Sequence, residues 1–227
     1  GLHLSPERLA EDVTELDRRG FTVKMHVAGD RSVRVALDAI EAARKANGNS
    51  GRHHELAHAG YVSDQDLARF AQLDAIPDYA PILWYPSPII QAVISAVGER
   101  GKHYWPTRSL LDRGALIAAG SDWPAAVPDM NPWIGVEALV TREDPRGQTP
   151  GLLWKEEAIT LAEAVRIYTL NGARALRLEG QTGSLEVGKS ADFVVLDRNL
   201  FSVPITDVGD TQVKQTWFEG KRVYAAP

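Results

Sequence analysis

Three short apolar stretches in this chain each run into a residue that can bind a metal, at a spacing that few architectures produce. Phe21-Thr22-Val23-Lys24-Met25 leads to His26, Glu55-Leu56-Ala57 leads to His58, and Ala115-Leu116-Ile117-Ala118-Ala119-Gly120 runs through Ser121 to Asp122. His58 follows His26 by 32 residues, and Asp122 follows His58 by 64, twice that interval. One strand with its return helix takes about 30 residues. The three residues are therefore expected at the ends of strands n, n+1 and n+3, with Ala75-Ile76-Pro77 opening strand n+2.

Helical patterns fill the intervals. Ser5 and Pro6 open a helix with Leu9, Val13 and Leu16 at helical spacing, and Gly20 ends it. Asp30 is expected to cap a helix with Val33, Ala36, Leu37, Ile40 and Ala43 on one face. Ser63 starts another, with Asp66 three residues on and Leu67, Phe70 and Ala71 as its apolar positions. A further helix spans Thr107 to Arg113, stopped by Gly114. Strands alternating with helices imply a parallel α/β sheet. A long loop rich in Tyr, Trp and Pro runs from Tyr79 to Pro106, with helical parts expected inside it.

Beyond a helix from Thr160 to Leu176, with a break expected at Asn171-Gly172, the texture changes. Short strands are expected at Gly183-Ser184-Leu185, Ala191 to Leu196, Val213 to Phe218 and Lys221 to Tyr224, the last two joined by a turn at Glu219-Gly220. This places a domain boundary near residue 180, with 1–180 in the α/β part and 181–227 in the strand-rich part.

Composition narrows the function. A net charge of −5, with Lys and Arg dispersed, excludes a phosphate-binding stripe, so no nucleic-acid partner is expected. Cysteine is absent, which leaves His, carboxylate and water as the only metal ligands and fits a cytoplasmic setting. No apolar run approaches the roughly 20 residues of a membrane span, so no membrane association is expected.

Two imidazoles and one carboxylate at matching strand ends suit a divalent metal of the zinc class, with Asp122 also placed to take a proton from activated water. Strand ends are where α/β barrels collect active-site groups. Hydrogen-bonded structural roles for each of the three are the competing interpretation. The Gly120 to Pro124 run also reads as a turn, although the buried apolar strand feeding into it favours the functional reading, and Asp30 reads most simply as a helix cap. His53 and His54 are expected at the surface, while His3 and His103 stand alone, the latter in the long loop. Trp84, Tyr85, Trp105, Trp123 and Trp133 either line an apolar pocket or pack their loops.

His26-Val27-Ala28-Gly29-Asp30-Arg31, Glu55-Leu56-Ala57-His58-Ala59, Gly120-Ser121-Asp122-Trp123-Pro124, Ala138-Leu139-Val140-Thr141-Arg142 and Gly183 through Phe193 together resemble the amidohydrolase superfamily. The branch is the third, which contains N-substituted formamide deformylase-like proteins. The resemblance implies the C-terminal half of a TIM-type (β/α)8 hydrolase barrel, strands five to eight, plus part of a small β-sandwich. It implies His26 and His58 as metal ligands from the fifth and sixth strands, and Asp122 as eighth-strand ligand and general base. One or two divalent ions, zinc foremost, would serve hydrolysis of a non-peptide C–N bond in a small amide or cyclic amide.

The family's first-strand His-x-His pair and its fourth-strand bridging ligand are absent, and adjacent His53-His54 cannot replace them because strand neighbours point to opposite faces. An incomplete barrel implies self-association or pairing with the missing N-terminal half. The alternative is a barrel-derived binding module without catalysis.

Overall fold

A computed structural model describes residues 2–81, 88–125 and 130–227. The chain divides into two compact units, residues 1–79 with 103–118, and residues 80–102 with 119–227.

In the first unit, helix α1 (Pro6–Arg18) starts where expected: the Ser5 hydroxyl accepts the Arg8 N–H at 3.2 Å, and Pro6 occupies a position whose missing donor costs nothing. Of its apolar residues Val13 is fully buried and Leu16 is exposed; Asp17, one turn after Val13, is buried instead. Strand β1 (Lys24–Val27) leads to α2 (Asp30–Asn47), whose Val33, Ala36, Leu37, Ile40 and Ala43 are all completely buried. The cap of α2 is Gly29, not Asp30. The Ser32 hydroxyl takes the Gly29 N–H at 3.1 Å, while Asp30 lies inside the first turn and accepts the Arg31 N–H.

Strand β2 (Glu55–His58), helix α3 (Asp64–Gln72) and strand β3 (Ile76–Tyr79) repeat the pattern. Helix α5 (Thr107–Asp112) precedes β4 (Ala118–Ala119), and α4 (Pro88–Val97) belongs to the second unit. The sheet order is β1-β2-β3-β4, with β1 parallel to β2 and β2 parallel to β3. This is the expected partial α/β barrel sheet. Strand β4 is shorter than its apolar run, because Gly114 turns at φ +80° and the Ala115 N–H bonds back to Leu110, which takes the run's start out of the ladder.

Alternation gives the sheet two unlike faces. Met25, Val27 and Leu56 are buried on one side, and Lys24, His26 and Glu55 occupy the other. Ahead of β2, His54 is fully buried, contrary to the surface position expected for it. Its Nδ1 accepts the Val23 N–H at 3.1 Å and its Nε2 faces Asp17 at 3.2 Å. Asp17 also accepts from Asn47, Ser50 and Arg44, so a closed polar cluster ties α1, α2 and the entry to β1 together.

In the second unit, α6 (Pro132–Thr141) begins at Asn131, which accepts the Trp133 N–H, and ends at Arg142, which is completely buried with its Nε donating to the Leu153 carbonyl at 2.8 Å. The helix expected from Thr160 starts on a Thr160–Glu163 capping box as α7 (Leu161–Arg166). It passes through a π-turn at Ile167–Asn171 and finishes as α8 (Gly172–Ala175), so at Asn171-Gly172, where a break was expected, the helix changes type and the backbone stays helical.

Strands β5 (Phe193–Leu196), β6 (Val213–Phe218) and β7 (Lys221–Ala225) form an antiparallel sheet in that order. The texture change expected near residue 180 falls inside this unit. Gly183 to Leu185 is not a strand: Gly183 turns at φ +88°, and a Cβ there would lie 2.5 Å from that of Ala173. Among the described residues no helix is long and apolar enough to cross a membrane.

Candidate metal centre

His26 is the third residue of β1 and points to the exposed polar face of the sheet. In register with it on β2 is Ala57, and beyond Ala57 on β3 is Asp78. The small Ala57 leaves this row open between the two polar residues. One level down, Lys24 pairs with Glu55 at 3.4 Å and also bonds Asp78, so each of three adjacent strands contributes a charge to this face. Partial burial works to lower the Lys24 pKa, but the bond to Asp78 and the two carboxylate charges outweigh it, and the net shift is upward.

His58 is in register with Val27, so unbroken alternation would aim it at the buried side, away from His26. The backbone prevents this. His58 has φ +69° and Ala59 has φ +41°, two consecutive left-handed residues at the strand end. The strand leaves its extended path at His58, and the two imidazoles meet with ring centroids 4.6 Å apart and planes at 73°. Left-handed non-glycine residues are held by their surroundings and concentrate at functional sites. Here the surroundings are visible: the Trp105 indole N–H donates to the His58 carbonyl at 2.6 Å.

Asp122 belongs to the second unit. It too is left-handed, at φ +58°, in a turn where the Ala125 N–H bonds its carbonyl at 2.9 Å and the Ser121 hydroxyl accepts the Trp123 N–H. Among the described residues no three His, Asp or Glu side chains gather as a group able to hold a metal ion. The pair His26 and His58 is what the first unit assembles.

Two cavities open beside His26. One, of about 400 Å³, is lined mainly by apolar side chains, among them Leu9, Val13, Met25 and Val35, with Asp12 and Lys24 at its polar part. The other, of about 420 Å³, is lined by Leu2, Ala28, Gly29, Arg31 and Ser32 with His26. His3, expected to stand alone, lines both. His103 is exposed. Of the aromatic residues considered for a pocket, Trp84 and Tyr85 lie outside the described residues, Trp123 is half-exposed, and Trp133 sits on α6 rather than in a loop.

The polar row of Lys24, Glu55 and Asp78 was not anticipated from sequence, although Lys24 precedes His26 by two residues and so shares its strand face. Glu137 was missed as well. It is buried on α6, its Oε2 accepts the Gly209 N–H at 2.7 Å, and burial, with the carboxylates of Asp210, Asp207 and Glu143 nearby, raises its pKa to about 7. A carboxylate within the apolar run Ile134 to Val140 was the available signal.

A four-stranded sheet with parallel β1-β2 and β2-β3 pairings, helices between its strands and an imidazole pair at β1 and β2 has the architecture of a partial α/β barrel. The chain matches the Amidohydrolase family over residues 2–224 and belongs to that family. It is 32% identical over 223 residues to the protein LONG AFTER FAR-RED 3 of Arabidopsis thaliana, covering 97% of this chain and 37% of that protein. To the N-substituted formamide deformylase of Arthrobacter pascens it is 29% identical over 201 residues, covering 88% of this chain and 36% of the relative. An uncharacterized metal-dependent hydrolase from Pyrococcus horikoshii superposes with a TM-score of 0.71 at 26% identity, over 90% of this chain and 39% of the other. The chain thus spans well under half the length of these three relatives.

Proposed function

We propose that this chain forms one wall of a metal-dependent amidohydrolase site that cleaves a non-peptide C–N bond in a small amide or cyclic amide. The observation that carries the proposal is the His26–His58 pair, brought together at 4.6 Å by a left-handed backbone at His58. Two imidazoles, a carboxylate and no thiolate suit zinc or a related divalent ion. The N-substituted formamide deformylase among the relatives supports the substrate class.

His26 and His58 would hold the metal through ring nitrogens. When bound, the ion would supply Lewis acidity toward the substrate carbonyl and an attacking water. Asp122 would take the proton from that water as the C–O bond forms and pass it to the nitrogen as the C–N bond breaks. Its proposed role is supported by the Gly120 to Pro124 motif and by its left-handed backbone. The cysteine-free sequence supports a cytoplasmic setting.

The second reading, a binding module without catalysis, is favoured by the absence of a three-residue ligand group among the described residues. Turnover of small formamides and cyclic amides by the metal-loaded chain, joined to an upstream half that carries the missing His-x-His pair, separates the two. Asp122→Asn is expected to abolish hydrolysis while leaving the circular dichroism spectrum unchanged. Retained hydrolysis in that variant contradicts the role of Asp122, and no hydrolysis in the parent favours the binding module.

A further inference from the structure

We infer that Trp105 is a positioning residue for the metal site: its indole N–H holds the His58 carbonyl and thereby keeps the His58 ring turned toward His26. The inference rests on the assignment of His26 and His58 as a ligand pair.

The need for such a residue follows from the register. His58 opposes Val27, and a regular strand would send its side chain to the buried face. Only the left-handed turn at His58 and Ala59 brings the imidazole to its neighbour, and that turn costs free energy that some contact must offset. Trp105 supplies the contact. It is completely buried, its Nε1 lies 2.6 Å from the His58 oxygen, and its own backbone N–H bonds the Gly60 carbonyl at 2.8 Å. One residue thus grips the turn at two carbonyls, two positions apart.

Its neighbour closes the clasp. The Tyr104 ring lies against Gly60 so tightly that a Cβ there would stand 2.2 Å from a ring carbon. Tyr104 also packs on Trp105 with centroids 3.7 Å apart and on Tyr61 at 4.8 Å. Trp105 is itself left-handed, at φ +55°, so the clasp and the turn it holds are both in conformations that tertiary contacts must maintain. Partners that orient a metal-binding histidine commonly act through its second ring nitrogen; here the hold is on the histidine's own main chain.

The test replaces Trp105 in the 227-residue chain with benzothienylalanine, which keeps the ring shape and substitutes sulfur for the N–H; Trp105→Phe serves as a second variant. Two readouts are taken: nuclear Overhauser contacts between the His26 and His58 ring protons in metal-free protein, and Zn²⁺ affinity. Loss of the ring contact, together with a fall in affinity of about tenfold or more in a protein with an unchanged circular dichroism spectrum, is the expected result. An undiminished ring contact in the folded benzothienylalanine protein overturns the inference, whatever the metal does. If the ring contact is lost but the parent chain shows no Zn²⁺ binding that depends on His26 and His58, the positioning role stands and the metal assignment fails.

Discussion

His54 and His58 lie four residues apart and use their surroundings in opposite ways. At His58 the backbone bends so that the ring reaches the polar face; at His54 the ring is sealed inside. Because Val23 donates to Nδ1 of His54, the proton sits on Nε2, facing Asp17. Protonating Nδ1 would set one N–H against another. Burial holds the His54 pKa below its ordinary 6.5, with the Arg44 charge acting the same way and Asp17 opposing both. The unfolded chain takes up this proton near pH 6.5 and the folded chain resists it, so the stability His54 contributes is present above that pH and declines as the pH falls below it. Glutamine can accept from Val23 and donate to Asp17 without titrating. His54→Gln is therefore expected to remain folded and to lose part of the acid-side decline in thermal midpoint between pH 7 and pH 5; an identical decline in both proteins contradicts the buried neutral ring.

Helix α6 shows the reverse dependence at the scale of an element. It is buried along Gly135 to Leu139, and its one acidic side chain in that stretch, Glu137, ties it to the segment at Gly209. With a folded pKa of about 7 against an ordinary 4.5, the folded chain binds the proton more tightly. The contribution is complete below about pH 4.5 and is lost as the pH rises through 7, a difference on the order of 3 kcal/mol. Glu137→Gln is expected to raise the unfolding midpoint at pH 8 relative to the parent and to narrow that gap at pH 5. An equal effect at both pH values would contradict the assignment.

The elements differ in how much of this was readable in advance. The core face of α2 was legible because five apolar residues at helical spacing admit one buried side. The strand ends at His26 and His58 were legible from interval and hydropathy. The His54 cluster was not, because Asp17 lies 37 positions away, and only its place one turn after Val13 marks the buried face. Trp105 was visible as an aromatic loop residue, but its grip on a carbonyl 47 positions earlier is a tertiary fact. The shortness of β4 was hidden for a local reason: the apolar run suggested six strand residues, and the bond from Ala115 to Leu110 removes the first of them.

At the scale of the molecule, β1 and β4 are the edge strands of the four-stranded sheet, and the β1 edge carries His26. In the second unit, β7 is exposed along its whole length, with Val223 and Tyr224 at the surface. Unpaired edges and exposed apolar strand residues favour association. We propose that the chain pairs with itself or with a segment completing the barrel. Sedimentation at micromolar concentration is expected to show species heavier than the monomer, and a single monodisperse monomer contradicts this.

The metal assignment rests on His26 and His58 binding one divalent ion together. Titration with Co²⁺, followed by its visible absorption and checked by competition with Zn²⁺, tests it most directly. Saturable binding is expected, weakened by at least about tenfold in both His26→Ala and His58→Ala and no further in the double variant, since either loss dismantles the pair. Binding that is unchanged in both single variants, or absent from the parent chain, would contradict it.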